Sequence, residues 1–162
     1  MKFLAIDPGY DKVGYAVFDK IENGTSDFTY ITSDLIKTPP KDLHEARLLA
    51  IYERLSDVIK ECSIELMVLE SLFMFKNQKT VLKVAQAIGV IELAGAMHNL
   101  PIVRLTPLQI KQIVTGYGTA DKASVLKMIR LTLADKIVIK DDDQADAIAC
   151  GLAYCYYNNA LS

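Results

Sequence analysis

Residues 2–19, KFLAIDPGYDKVGYAVFD, constrain the fold more tightly than any other stretch of this chain. Two apolar runs of strand length flank a Pro-Gly turn signal, so they read as a buried strand and its hairpin neighbour, with Gly9 and Gly14 marking the tight connection. The first run, FLAI, has no polar face and belongs in the middle of a sheet. It ends on Asp7. Asp-Pro-Gly is ordinary turn chemistry, so Asp7 alone reads first as a turn former and only second as a carboxylate set on a rigid support.

The rest of the chain supplies what such a hairpin needs. DFTYITSDLI (27–36) has strand propensity, with Phe28, Tyr30 and Thr32 on one face, and Pro39-Pro40 stops it. Residues 42–62 carry apolar positions near the 3.6 period and read as an amphipathic helix. ELMVLE (65–70) is a short buried strand closing on Glu70, residues 78–100 a long helix, and PIVRL (101–105) another strand. Two shorter helices, 106–116 and 120–133, join through GYG, and a last helix, 141–157, opens on a run of acids. Three strands in hairpin order, then alternating helix and strand, predict an α/β domain: a five-stranded mixed sheet flanked by helices on both faces. The first strand lies centrally, with the fourth parallel beside it through a right-handed crossover.

With 162 residues, 51% of them hydrophobic, one domain over 1–162 is expected. No apolar run approaches the roughly 18–20 residues that span a bilayer, and the four-residue FLAI run is too short for a signal peptide. Cys62, Cys150 and Cys155 lack metal-ligand spacing and read as reduced core thiols, which points to the cytoplasm and to no membrane partner.

Asp7 and Glu70 both close apolar strands, and parallel neighbours end on the same edge of a sheet, where functional groups gather. In the last helix Asp143 and Asp146 are three residues apart and share a face. Its apolar remainder packs on the sheet, which carries those acids toward Asp7 and Glu70. Taken singly, each has a bland reading: Glu70 says nothing by itself, and Asp141 and Asp142 read as helix caps. Together they form a cluster that needs counter-charge, because like charges raise each other's pKa. Hard divalent cations such as Mg²⁺ supply it, and a pair of them about 4 Å apart suits phosphodiester hydrolysis.

Four blocks carry a resemblance: AIDPGYDKVGYAV, VLESLFMFKNQKTVLKVAQAIGVIELA, RLTPLQIKQIVTGYGTADKASVLKMI and DDDQADAIACGLAY. In this order they resemble the RuvC family of Holliday-junction resolvases, colinearly over nearly the whole chain. The resemblance implies a ribonuclease H-like fold and a homodimer that resolves four-way DNA junctions. It does so by two symmetric nicks dependent on Mg²⁺ or Mn²⁺, with two ions per site, leaving 5′-phosphate and 3′-hydroxyl ends. It assigns metal binding to Asp7, Glu70, Asp143 and Asp146, contact near the scissile phosphate to Lys111 and Lys122, and base contact to Phe73. A branch-migration helicase complex enters as a candidate partner on the same ground.

Charge distribution fits such a substrate. Residues 1–70 hold 8 Lys/Arg against 13 Asp/Glu, residues 71–130 hold 8 against 2, and residues 131–162 hold 2 against 5. The basic middle, including Lys76, Lys79, Lys111 and Lys122, suits backbone phosphates, while Lys83 and Lys127 read equally as solvated helix faces. Lys122 falls in the first turn of a helix capped by Thr119, where free N–H groups favour an anion. The 78–98 helix is apolar on nearly every side, so something must cover its second side: the terminal helix of the same chain, or a second copy. His44 and His98 have no acid partner in the sequence and read as surface or helix-end residues. Two other functions stay open on the residues alone: a ribonuclease H-like nuclease acting on another nucleic acid, as in RNA processing, and a junction-binding protein without catalysis.

Overall fold

The structure, a computed structural model, describes residues 1–21, 27–71, 78–134 and 137–157, with only the backbone at 78–80. Five strands and five helices follow one another as β1 (Lys2–Asp7), β2 (Lys12–Lys20), β3 (Phe28–Lys37), α1 (His44–Cys62), β4 (Leu66–Glu70), α2 (Gln78–Met97), β5 (Ile102–Leu105), α3 (Pro107–Thr115), α4 (Lys122–Leu133) and α5 (Asp142–Tyr156). The sheet order is β3-β2-β1-β4-β5. β1 pairs antiparallel with β2 and parallel with β4, so the most apolar strand is central, as its sequence requires.

Alternation along the strands sorts side chains to two cores. Phe3, Ala5, Leu66 and Val68 face α3, α4 and α5. Leu4, Ile6, Met67 and Leu69 face α1 and α2. Asp7 and Glu70 continue the first of these rows, so both point to the side of the sheet where α5 lies. Cys150 and Cys155 are buried in that core as free thiols, and Cys62 is half-buried. Among the described residues no helix is long and apolar enough to cross a membrane.

Three local readings change. In β3 the register slips opposite Val17/Phe18, pairing Phe18 with Tyr30 and Val17 with Thr32. This bulge flips the alternation: Phe28 and Tyr30 pack edge-on to Phe18, whereas Thr32 is exposed and Ser33 takes the inner side. Gly14 lies within β2 rather than in the connection. α4 is capped by Asp121, which accepts from Ser124 N at 2.8 Å, and not by Thr119. His44, by contrast, is the helix-end residue that the sequence indicates: it begins α1, and its Nδ1 lies 2.7 Å from the Tyr10 hydroxyl.

The terminal helix does not cover α2. It packs on the opposite face of the sheet, and α1 covers only one flank of α2. Leu82, Leu93 and Met97 are left 68, 53 and 62% exposed, which is a high price in exposed apolar surface for one helix.

Candidate active site

Strand register builds the first half of the site. The β1–β4 ladder ends on Ile6↔Leu69, so Asp7 and Glu70 follow as neighbours on strands about 4.8 Å apart. On the other side of β1, Asp7 pairs with Gly14 of β2. A Cβ at Gly14 would stand 1.9 Å from the Asp143 carbonyl oxygen. Only glycine there lets the first turn of α5 rest on β2, and that contact brings Asp143 and Asp146 beside Asp7.

The chain of α5 turns helical at Asp142 because Asp141 caps it, its carboxylate accepting from Asp143 N at 3.2 Å. Lys12, just past the β1–β2 turn, reaches the other Asp141 oxygen at 2.5 Å and stands 3.9 Å from Asp143. From the opposite side Lys122, the first residue of α4, reaches Asp146 at 3.1 Å and Asp142 at 3.5 Å. Each end of the acidic cluster is therefore clipped by a lysine from a different element.

The turn itself is held from α1. Arg47 is buried, donates to the Tyr10 carbonyl at 3.3 Å and to Thr38 Oγ1, and pairs with the Asp11 carboxylate. Thr38 Oγ1 in turn donates to the Tyr10 carbonyl at 2.5 Å. A buried guanidinium with every neighbour satisfied makes residues 8–11 a rigid support for Asp7.

Burial first, and then the charges of neighbouring acids, raise the carboxyls of this edge. Burial pushes the Asp7 carboxyl up to about 8, and the charges of Glu70, Asp146 and Asp143 add to it against the pull of Lys122. Burial likewise pushes Glu70 up to about 7, aided by Asp146 and opposed by Lys111 and Lys122. Asp143 is raised by burial and by its neighbour Asp141. Desolvation pulls Lys122 down, but its hydrogen bond to Asp146 and the fields of Asp146 and Asp142 leave it raised overall. Lys111 and Lys122 thus both act on the cluster.

A site of this kind would hold a cation through hard oxygen donors alone, the set suited to Mg²⁺, Mn²⁺ or Ca²⁺ rather than to Zn²⁺. The residues fit such an ion in kind and in their need for positive charge. They are not closed around it: among the described residues no three Asp, Glu, His or Cys side chains form a ready ligand group. The Asp143 and Asp146 carboxylates are instead engaged by Lys12 and Lys122.

Of the residues singled out from sequence, Asp7, Glu70, Asp143, Asp146, Lys111 and Lys122 come together at one edge of the sheet. Phe73 and Lys76 lie outside the described residues, as does the side chain of Lys79. Sequence reasoning missed Lys12, Gly14 and Arg47, and gave Asp141 only its capping role. The signal for Lys12 was present, a lone cation five residues after Asp7, whereas Arg47 looked like any charge on an amphipathic helix.

Known proteins resemble the chain in sequence and in fold. The family model described as crossover junction endodeoxyribonuclease RuvC matches residues 3–155. The chain is 41% identical to a protein of that name from Thermosipho melanesiensis over 155 residues, 96% of each chain. It is 41% identical to another from Clostridioides difficile over 158 residues, 98% of this chain and 92% of that one. The structure of Thermus thermophilus RuvC in complex with a Holliday junction substrate superposes with a TM-score of 0.88 at 27% identity, covering 97% of this chain and 94% of that one. The fowlpox virus Holliday junction resolvase shares the fold alone, with a TM-score of 0.60 at 16% identity over 95% of this chain and 96% of that one. The fold is the ribonuclease H-like one, and the chain belongs to the RuvC family of crossover junction endodeoxyribonucleases.

Proposed function

We propose that this chain works as a homodimer that resolves four-way DNA junctions by paired nicks, with Asp7, Glu70, Asp143 and Asp146 as metal-binding acids. The convergence of these four carboxylates from β1, β4 and α5 onto one edge, within reach of Lys111 and Lys122, carries this reading. Divalent-metal dependence is a property of the family; Mg²⁺, with Mn²⁺ as substitute and two ions per site, is the assignment proposed here. Bound there, the metal would lower the pKa of the attacking water and stabilise the leaving oxygen, giving 5′-phosphate and 3′-hydroxyl ends.

The protein's own contribution is placement. Asp7 and Glu70, backed by buried strands, hold their oxygens without side-chain reorganisation. Lys122 and Lys111 offset charge on the scissile phosphate, and Lys122 gives up Asp146 to do so. Phe73, Lys76 and Lys79 contact the junction on the resemblance, Phe73 by stacking on an unpaired base. The uncovered apolar stripe of α2 is the dimer contact, and a two-fold dimer sets two such edges against the two strands to be cut. The whole chain acts as one nuclease domain, in the cytoplasm.

Incubation of a labelled mobile four-way junction with the protein and Mg²⁺ tests this. Paired symmetric nicks yielding ligatable duplexes are expected, with a linear duplex and an RNA–DNA hybrid left intact. Asp7→Asn is expected to bind the junction and not cut it. Cutting of the hybrid in preference to the junction, or full activity of the variant, would refute the assignment.

A further inference from the structure

Beside the carboxylates, between the β1–β2 turn and α2, lies an open cleft of ≈ 500 Å³ lined by Tyr10, Asp11, Lys12, Lys83, Val84 and Asp143. Asp143 belongs to both places, so a strand lying against the acids continues into the cleft. The volume is in the range of pockets that hold small ligands, and a nucleotide unit fits it.

Its chemistry decides which part of a nucleotide it suits. Tyr10 offers no stacking surface. It is 7% exposed, its ring already holds Arg47 at 3.8 Å and the Lys83 ammonium at 5.3 Å from the centroid, and His44 engages its hydroxyl. The carboxylate of Asp11 is neutralised by Arg47, and Lys12 is tied to Asp141. Lys83 differs from both: among the described residues it makes no ion pair. It stands on an exposed position of α2, while the Asp143 carboxylate at the other side of the cleft lies 3.9 Å from Lys12, which still has N–H donors to spare. An anion therefore suits the cleft and a base does not.

We infer that the cleft binds the phosphodiester next to the one that is cut, anchored by Lys83 with Lys12 as a second donor. Lys83 is thus a positioning residue, which holds the strand across Asp143 by its neighbouring phosphate. This rests on the reading of the carboxylate edge as the DNA-cutting site. It also separates Lys83 from Lys127, which sequence alone could not do: Lys127 lies on α4, beside Leu126 and Arg130, away from this cleft.

The test is a scan of single methylphosphonates, which remove one backbone charge each, through the branch point of a four-way junction. Binding is measured without metal, for the unaltered protein, Lys83→Gln and Lys83→Arg. One substituted position flanking the cut is expected to weaken binding by the unaltered protein about tenfold, the scale of a charge-assisted contact. Lys83→Gln should weaken binding to the native junction similarly, lose nothing further at that position, and lower the slope of log affinity against log salt by about one. Lys83→Arg should keep both affinity and sensitivity. Lys83→Gln with unchanged affinity and salt slope would overturn the inference, as would losses from variant and methylphosphonate that simply add. A protein that cuts junctions yet shows either result refutes the cleft alone. One that cuts no junction refutes the reading beneath it, while the binding scan still reports on Lys83. Unchanged circular dichroism of Lys83→Gln excludes misfolding as the source of a loss.

Discussion

Asp7 is a carboxylate the protein holds against its own stability. Its ordinary value is 3.8, and burial beside Glu70 lifts it to about 8; Glu70 is lifted from 4.5 to about 7. An acid whose folded pKa lies above its unfolded one keeps its proton longer when folded, so the folded state loses stability as pH rises through that window. Without metal, stability is therefore greatest near the acid end of the window and declines toward pH 8. Between pH 6 and 8 the decline should come to roughly 2 kcal/mol once screening of these half-buried groups is allowed for. Thermal unfolding of chelator-treated protein measures it. Asp7→Asn should flatten most of the slope, and a variant that keeps the full slope would show that the strain lies elsewhere. The same repulsion explains why a cation is wanted here: it supplies the charge that Lys122 and Lys12 supply only in part.

At the scale of elements, the site is a question of how near α5 comes to β2. Two glycines permit the approach: Gly14, under the Asp143 carbonyl, and Gly151, whose added Cβ would lie 2.1 Å from the Phe18 ring. Gly14→Ala would force the first turn of α5 outward and carry Asp143 and Asp146 away from Asp7. Overpacking of this kind costs about 1–3 kcal/mol. A displacement on the order of 1 Å at reacting groups costs about a hundredfold in rate. The expected variant is folded, has a lower melting temperature, binds the junction and cuts it at least about a hundredfold more slowly. Cleavage at the normal rate, read in the junction assay, would mean that the α5 acids tolerate the shift. The helix starts show how local signals compete. Asp121 and Thr119 both stand near the beginning of α4, and Asp121 wins because the helix begins one residue after it, at Lys122, which also points that lysine toward Asp146.

For the whole molecule, α3, α4 and α5 pack on one face of the sheet and α1 and α2 on the other, and α2 leaves Leu82, Leu93 and Met97 in water along one side. Burying such a stripe against a second copy contributes about 25 cal/mol per Å² of apolar area. Leu93→Glu places a charge in the middle of the stripe, and light scattering should report a shift from dimer to monomer. In the junction assay its nicks should fall singly rather than in opposed pairs. A dimer that survives the substitution would place the contact on another surface.

Much of this architecture was legible before any coordinate. FLAI and LMVL are uniformly apolar runs that each close on a carboxylate, which is a local pattern, and parallel pairing then brings the two acids to the same edge. The spacing of Asp143 and Asp146 is equally local, set by the pitch of a helix. What sequence could not show depends on residues far apart in the chain. Lys12 meets Asp141 across 129 positions, Arg47 reaches back 36 to Asp11, and Gly14 matters because of a carbonyl on α5. The covering of α2 belongs to this second kind, since its periodicity called for cover on a second side but could not show that α5 had gone to the other face. Short-range periodicity determined which side chains share a face wherever the backbone repeats regularly, as in β1, β4 and α5, and it failed in β3, where a bulge interrupts the repeat. Tertiary packing alone decided which faces meet and which cations reach the acids, because those outcomes follow from the whole set of contacts at once.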